Sequence, residues 1–138
     1  MNEKLTLEYI NNEYNLDAYL VKDKFSSYDA ECKDYIIEIK NRRKYWKDKI
    51  IEANKLFTNY QKAQLKNKSF LYIVTDEKGV YVFNISKNIK KIIKKKLIPK
   101  YCPSTTDFNN NKLITKYTFI LEEKLSKHKQ KLLTMMLF

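Results

Sequence analysis

The chain has 138 residues, 28 Lys and Arg against 16 Asp and Glu, and a formal net charge of +12. One Gly and one His exclude a glycine-rich phosphate loop and a multi-His metal site, and two Cys are too few for a disulfide framework or a zinc ribbon. No apolar run approaches the roughly 20 residues of a membrane span, and the charged first residues lack an apolar signal core. We therefore expect a cytoplasmic protein of one domain, with a polyanionic partner and no membrane association.

Hydrophobic spacing predicts a mixed α/β fold. Alternating apolar residues indicate strands, and apolar residues at every third or fourth position indicate helices. Pro99 and Pro103 are expected to interrupt regular structure after a basic helix. The expected elements are a helix at 2–14, strands at 18–24, 27–33 and 35–41, a helix at 44–66, a hairpin of strands at 70–75 and 80–85, a basic helix at 87–98, a strand at 113–121 and a lysine-rich helix at 122–136.

The helix expected at 44–66 has the most regular apolar pattern. Its apolar positions recur at spacings of four and three residues, which predicts one continuous face packed on the core. This pattern favours a core position for Trp46 over a base-stacking one. The face comprises Trp46, Ile50, Ala53, Phe57, Tyr60 and Gln64.

The charge is unevenly distributed along the chain. Residues 1–41 hold nine acids and five lysines, a net charge of −4, whereas the rest of the chain is +16. A metal-dependent enzyme acting on a polyanion needs such a pattern, because carboxylates bind the cation and basic surroundings bind the phosphates. The alternatives are a terminal helix that is acidic by chance and a lysine content set by codon usage.

The second and third predicted strands bring two carboxylates together. If residues 33–34 form a two-residue turn, the numbers of facing residues sum to 67, and Asp29 lies opposite Glu38. Lys40 shares their face because side chains alternate along a strand, whereas Ile39 points into the core. Like charges that face each other destabilise a sheet, so a cation between them is expected. The alternative is a solvated strand face on which Lys40 bridges to Glu38.

This arrangement predicts chemistry on a phosphodiester bond. Mg²⁺ takes oxygen ligands, with one or two from carboxylates and others from water and phosphate. Asp29 and Glu38 would supply the carboxylates and Ile39 a backbone carbonyl, with Mn²⁺ as a substitute metal. Lys40 would orient or help to deprotonate the attacking water, or stabilise charge on the phosphorane. Such hydrolysis needs no His, Ser or Cys.

The run YDAECKDYIIEIKNR at 28–42 resembles the PD-(D/E)xK, or restriction-endonuclease-like, nuclease superfamily, in particular a small phage-type member. Asp29, Glu38 and Lys40 match the family motif, and Tyr28 replaces its proline. The resemblance covers roughly the first 75 residues. It implies an αβββαβ core at about 1–86 with an extra hairpin strand, and an extension with basic helices at about 87–138, in a single nuclease domain.

The resemblance also implies further site residues. Many members carry an acidic residue on the first helix that completes the metal site. Glu8 lies in the middle of that helix and matches best, while Glu3 and Glu13 match less well. Helices in the position of 44–66 often send a polar side chain to the site, and Lys55 and Gln61 are the candidates. The implied catalytic set is therefore Glu8, Asp29, Glu38 and Lys40, with Glu8 also a metal ligand.

Basic residues after the third strand and on the basic helix are candidates for phosphate contacts. The alternative for both groups is a solvated surface. The candidates are Arg42, Arg43, Lys44, Lys55, Lys90, Lys91, Lys94 and Lys95.

The expected function is a Mg²⁺-dependent DNA endonuclease. The small size argues against a specificity domain, which favours recognition of DNA structure, as in Holliday-junction resolution during phage recombination. Resolvases of this fold are homodimers because two strands are cut symmetrically, so a homodimer belongs to that expectation. A general phage or mobile-element endonuclease is an equal alternative. Others are a basic nucleic-acid-binding module without catalysis and a ribonuclease of the same fold.

Overall fold

Two β-sheets and three helices form a mixed α/β fold in the part of the chain that the structure describes. The computed structural model describes residues 2–103 and 113–130. The helices are α1 (Glu3–Tyr14), α2 (Ala53–Leu65) and α3 (Ile85–Ile93). The strands are β1 (Tyr19–Leu20), β2 (Ala30–Glu31), β3 (Tyr35–Asn41), β4 (Lys49–Glu52), β5 (Ser69–Asp76), β6 (Gly79–Asn84), β7 (Ile98–Pro103), β8 (Leu113–Leu121) and β9 (Lys127–Gln130).

The central sheet has six strands in the order β1-β2-β3-β5-β6-β9. Strands β1, β2 and β3 are antiparallel neighbours, whereas β3 and β5 are parallel. A parallel pair needs a crossover, and α2 lies within it. Strands β5 and β6 form the predicted hairpin, whose turn ends at Gly79 with a φ of 141° that favours glycine. The predicted α/β class is confirmed.

Helix α1 confirms the helix predicted at 2–14. The Asn2 side chain accepts a hydrogen bond from the Leu5 N–H at 2.8 Å and caps the first turn. At the other end, Asn15 adopts the left-handed conformation with a φ of 53°. The helix buries the face that carries Thr6, Leu7, Tyr9 and Ile10.

The β2–β3 hairpin has the predicted register, although β2 is short. Ala30 pairs with Ile37 and Glu31 pairs with Ile36, so facing numbers sum to 67. Strand β3 has the predicted bounds, but regular pairing covers only two residues in each of β1 and β2 instead of 18–24 and 27–33. One reason is a local turn, in which the Asp23 carboxylate accepts a hydrogen bond from the Phe25 N–H at 2.9 Å.

The helix predicted at 44–66 is wrong over its first nine residues. Strand β4 occupies 49–52 and pairs with β8, and α2 begins only at Ala53. Ile51 is 1 % exposed, because the branched residues at the start of the segment pack in the second sheet. Trp46 is 64 % exposed and Phe57 47 % exposed, so the predicted apolar face is not the buried one. The residues that α2 buries are Leu56, Asn59 and Ala63.

The end of the chain also differs from the sequence prediction. Helix α3 ends at Ile93, and Pro99 and Pro103 lie within β7. Proline is tolerated there because β7 is an edge strand of the second sheet, whose order is β4-β8-β7. Strand β8 has the predicted bounds. The helix predicted at 122–136 is wrong over 122–130, which form a 3-10 turn and β9, and residues 131–136 lie outside the described residues.

Two apolar clusters lie on opposite faces of the central sheet. One joins α1 to the inner face of β3, including Ile10, Ile37 and Ile39. The other joins α2, α3 and the second sheet to the opposite face, including Ile36 and Leu56. Within the described ranges, no helix has the length and apolar character that a bilayer crossing requires.

Candidate functional site

Asp29 is held in place immediately before β2 by three hydrogen bonds. Its N–H donates to the Ile37 carbonyl at 2.8 Å, and its carbonyl accepts from the Val21 N–H at 2.8 Å. Its carboxylate Oδ2 accepts from the Ile39 N–H at 2.7 Å. The Asp29 side chain therefore lies beyond the start of β2 and contacts the backbone of β3 at Ile39, next to Glu38.

Glu38 is a buried carboxylate beside Asp29. It is 8 % exposed. Burial, followed by the negative charge of Asp29, raises the pKa of Glu38 to about 7. The effect of Asp29 on the pKa of Glu38 is the one expected of two neighbouring carboxylates. An additional positive charge would stabilise the ionised form of Glu38.

Two lysines partly supply that charge. The Lys55 Nζ of α2 lies 3.0 Å from the Glu38 Oε1. Lys40 lies two residues after Glu38 on the same face of β3, and its charge also lowers the pKa of Glu38. Lys55 is one of the two residues expected to reach the site from this helix, and it pairs with a site carboxylate, whereas the other, Gln61, is exposed. Contact of Lys55 with phosphate stays a prediction. The two cations approach from different elements, the sheet and the crossover helix.

The backbone of Ile39 faces the same edge as Asp29. Its side chain is 5 % exposed and packs in the cluster beneath α1. Because the N–H and C=O of one strand residue point to the same edge, the N–H bond to Asp29 turns the Ile39 carbonyl toward that carboxylate. The oxygen donors of Asp29, Glu38 and Ile39 thus border one region at the end of β2.

The first helix presents Glu3, and not Glu8, to this region. At 3.6 residues per turn, Glu8 lies roughly 180° from the centre of the buried face of α1 and Glu3 roughly 40° from it. Glu8 is exposed. The pKa of Glu3 is raised because the protein removes part of its hydration and because Asp29 carries a negative charge. The spacing of Glu3 from Thr6, Leu7 and Ile10 is the sequence signal that would have identified it.

A hydrogen bond fixes α1 over the end of β3. The Thr6 hydroxyl donates to the Asn41 side-chain oxygen at 3.1 Å, and Asn41 also bonds Thr75 on the neighbouring strand. Thr6 and Thr75 are both buried. This contact places the first turn of α1, which carries Glu3, near the end of the sheet where Glu38 lies.

The donor set fits a hard divalent cation with two protein carboxylates. Two carboxylates and one backbone carbonyl are the oxygen ligands that Mg²⁺ takes, with the remaining positions left to water and phosphate. Among the residues that the structure describes, no cluster of three or more His, Cys, Asp or Glu side chains is arranged to hold a metal. Among these residues, neither Glu8 nor Glu3 therefore forms a three-carboxylate set with Asp29 and Glu38.

The basic residues predicted to bind nucleic acid lie in two places. Arg42 and Lys44 line a groove beyond the end of β3, and Arg43 is exposed beside them. On and after α3, Lys90, Lys91 and Lys94 are exposed, whereas Lys95 pairs with Glu122. The sequence prediction missed Trp46, Lys47 and Lys100, which line the same groove. The β-branched pair Ile50-Ile51 shortly after Trp46 was the available signal that this segment is a strand and not a helix.

Comparisons of the chain with protein-family models, with curated proteins and with solved structures find no match. The functional interpretation therefore depends on the residues of the site and on their geometry.

Proposed function

We propose that the protein is a Mg²⁺-dependent endonuclease that hydrolyses phosphodiester bonds of DNA. One observation carries the proposal, namely the convergence of Asp29, Glu38 and Lys40 at the end of a short hairpin. The raised pKa of Glu38, about 7, supports it, because burial and the neighbouring Asp29 carboxylate both disfavour the ionised form, which a bound cation would stabilise. Perturbed carboxylates next to a specific charged partner are typical of catalytic centres.

Each residue has a distinct role in the proposed reaction. Asp29, Glu38 and the Ile39 carbonyl would hold Mg²⁺ or Mn²⁺, which when bound polarises the scissile phosphate and acidifies a bound water. Lys40 orients the attacking water and stabilises the charge that develops on the phosphate oxygens. Lys55 keeps Glu38 ionised through their ion pair at 3.0 Å. Glu3, outside the ligand set, replaces Glu8 as the acid of the first helix that acts on the site, through its interaction with the charge of Asp29.

The fold that we infer is the restriction-endonuclease-like αβββαβ core. Helix α1, the antiparallel strands β1, β2 and β3, the crossover helix α2 and the parallel strand β5 follow one another in that order. Strand β4 is an insertion before α2. Strand β6 is the extra hairpin strand, and the segment after residue 86 adds α3, the rest of the second sheet and β9 at the edge of the central sheet. We infer one nuclease domain.

The preferred substrate that we propose is branched DNA, cut by a homodimer in the manner of a Holliday-junction resolvase. Beyond the inferred core, the described residues add only α3 and the strands β7, β8 and β9, which continue the two sheets, and this favours recognition of DNA structure over sequence. The net charge of +12 supports a polyanionic substrate.

The test compares cleavage of supercoiled plasmid, a four-way junction and single strands, with Mg²⁺ or with EDTA. Asp29→Asn and Lys40→Ala are expected to lower the Mg²⁺-dependent rate by about 10²-fold or more. Lys33→Ala, at the exposed turn of the same hairpin, is the control and is expected to retain the wild-type rate. Cleavage that persists in both site variants would exclude this site, and selective nicking of the junction supports the resolvase.

A second candidate is a nucleic-acid-binding module without catalysis. The Lys55–Glu38 ion pair favours it, because a protein cation partly neutralises Glu38 without a metal. This candidate predicts equal binding of DNA in Mg²⁺ and in EDTA, with no cleavage by any divalent metal.

A further inference from the structure

A groove with a volume of about 510 Å³ opens where β3 and β5 end. We call it the Trp46 groove, after the indole on its wall. Val74 also lines it, and Val74 is the register partner of Lys40 on the neighbouring strand. Paired residues on adjacent strands lie roughly 5 Å apart, so the groove begins beside the proposed catalytic lysine.

The groove carries a surplus of positive charge. Four exposed cations line it, and a fifth, Lys49, forms an ion pair with Asp76. Asp48 is the only other acid among the described residues that line it. The remaining charge is complementary to a polyanion that passes from the candidate site into the groove. The exposed cations are Arg42, Lys44, Lys47 and Lys100.

Trp46 is exposed although its backbone is firmly held. Trp46 is 64 % exposed. Its carbonyl accepts a hydrogen bond at 2.6 Å from the ammonium of Lys49, a residue that is 4 % exposed. That ammonium is fixed by Asp76 at 3.3 Å and by Glu123 at 2.9 Å. The buried ion-pair network thus fixes the backbone at Trp46, while the ring is exposed beside the cations of the groove and available for stacking.

We propose that the Trp46 groove binds an unpaired nucleobase of the substrate strand. The base stacks on the indole of Trp46, and the four exposed cations bind the phosphates on either side of it. Bases inside a duplex stack on one another and present no free face to an indole. The inference rests on the proposed hydrolysis of phosphodiester bonds and names a substrate class other than a fully paired four-way junction, namely a nucleic acid with an unpaired segment next to the cleaved bond.

An acidic polypeptide is the competing occupant. It would satisfy Arg42, Lys44, Lys47 and Lys100, but it offers no planar ring of matching size to Trp46. Stacking of a base on an aromatic side chain contributes to affinity whatever the base, which suits a surface that holds single strands without reading their sequence. The combination of one presented indole with flanking cations therefore favours the nucleobase.

The test uses the intrinsic fluorescence of Trp46, the only Trp in the chain. Protein in EDTA is titrated with single-stranded oligothymidylate, the equivalent oligouridylate, a duplex, an abasic oligonucleotide of equal charge and polyglutamate. We expect both single strands to quench the indole and the other three polyanions to quench it weakly. Equal quenching by the abasic strand or by polyglutamate would overturn the proposal.

Substitutions provide the second readout, measured as the anisotropy of a labelled single strand in EDTA. Trp46→Ala is expected to weaken binding about tenfold or more, and Trp46→Phe to retain most of the affinity. Tyr19→Ala is the control, because Tyr19 is an equally exposed aromatic residue, 60 %, on the edge strand β1. Circular dichroism verifies that each variant is folded. Unchanged affinity in Trp46→Ala contradicts the proposal.

Because these measurements need no metal, they separate the two proposals. Quenching and a Trp46 dependence without any cleavage support the nucleobase site and overturn the nuclease. Cleavage with no effect of Trp46→Ala on binding supports the nuclease and overturns the nucleobase site.

Discussion

Lys55 of α2 and Glu38 of β3 form an ion pair with an Nζ–Oε1 distance of 3.0 Å. The helix that connects two parallel strands thereby delivers a cation to the most buried carboxylate of the candidate site. Burial and Asp29 raise the pKa of Glu38, and Lys55 opposes them. The position of α2 therefore influences how much of Glu38 is ionised near neutral pH.

Removal of the Lys55 charge is expected to shift the pH profile of the cleavage rate to higher pH. In Lys55→Met the pKa of Glu38 rises further, so the acidic limb of the rate profile moves up by about one pH unit or more. The measurement is the cleavage rate between pH 5 and 9 at a fixed, saturating Mg²⁺ concentration. Lys62→Met, on the same helix and without contact to Glu38, is the control. An unshifted profile in Lys55→Met would show that the ion pair does not control Glu38.

Glu38 is expected to reduce stability at alkaline pH when no metal is present. Its pKa is raised from an ordinary 4.5 to about 7, so the stability it contributes is present below pH 4.5 and is lost as the pH rises through 7. Glu38→Gln is therefore expected to be more stable than wild type at pH 8 by roughly 1–3 kcal/mol, and similar to it at pH 4. Urea unfolding in EDTA at both pH values checks this. Mg²⁺ should stabilise the wild type and not the variant, and a variant that is less stable at pH 8 contradicts the assignment.

Glu3 and Glu8 provide a matched pair on one helix. Glu3→Gln is expected to raise the Mg²⁺ concentration needed for half-maximal cleavage by about tenfold, because Glu3 interacts electrostatically with Asp29. Glu8→Gln is expected to leave it unchanged, because Glu8 lies on the opposite face of α1. Titration of the cleavage rate with Mg²⁺ distinguishes the two. The reverse outcome would restore the assignment made from sequence.

Glu31 is expected to make the fold sensitive to acid. Burial raises the pKa of Glu31, but hydrogen bonds from Lys68, Lys66 and Tyr28 outweigh it and lower the pKa to about 2. Its contribution to stability is present above an ordinary pKa of 4.5 and is lost as the pH falls through 2. Glu31→Gln is expected to cost roughly 1–3 kcal/mol at pH 7 and little at pH 2.

Thermal unfolding of wild type and Glu31→Gln across this pH range is the measurement. Lys68→Met should reproduce much of the loss, because the Lys68 Nζ lies 2.6 Å from Glu31 and its side chain is only 18 % exposed. A constant difference between wild type and Glu31→Gln from pH 7 to pH 2 would contradict the ionic origin of the effect.

Local patterns predicted those parts of the fold that local interactions determine. The hairpin register, β3, α1 and the β5–β6 turn follow from strand alternation, a capping Asn2 and the one Gly79. The segment 44–52 did not follow the pattern, because a helical spacing of apolar residues can also be satisfied by a strand that pairs with β8, far along the chain. A second long-range pairing, with β6, explains why residues 127–130 form β9 and not the predicted helix.

By itself the sequence determined which chemistry is available. With one Gly, one His and two Cys, the chain offers mainly acids and lysines as candidate functional groups. The turn at 33–34 sets the hairpin register and so brings Asp29 close to Glu38. Only the tertiary structure decided which partners surround them, because helix orientation and long-range strand pairing depend on packing across the whole domain. That packing paired Lys55 with Glu38, brought the charge of Glu3 under the influence of Asp29, and left Trp46 exposed on a groove that the Lys49–Asp76 ion pair also lines.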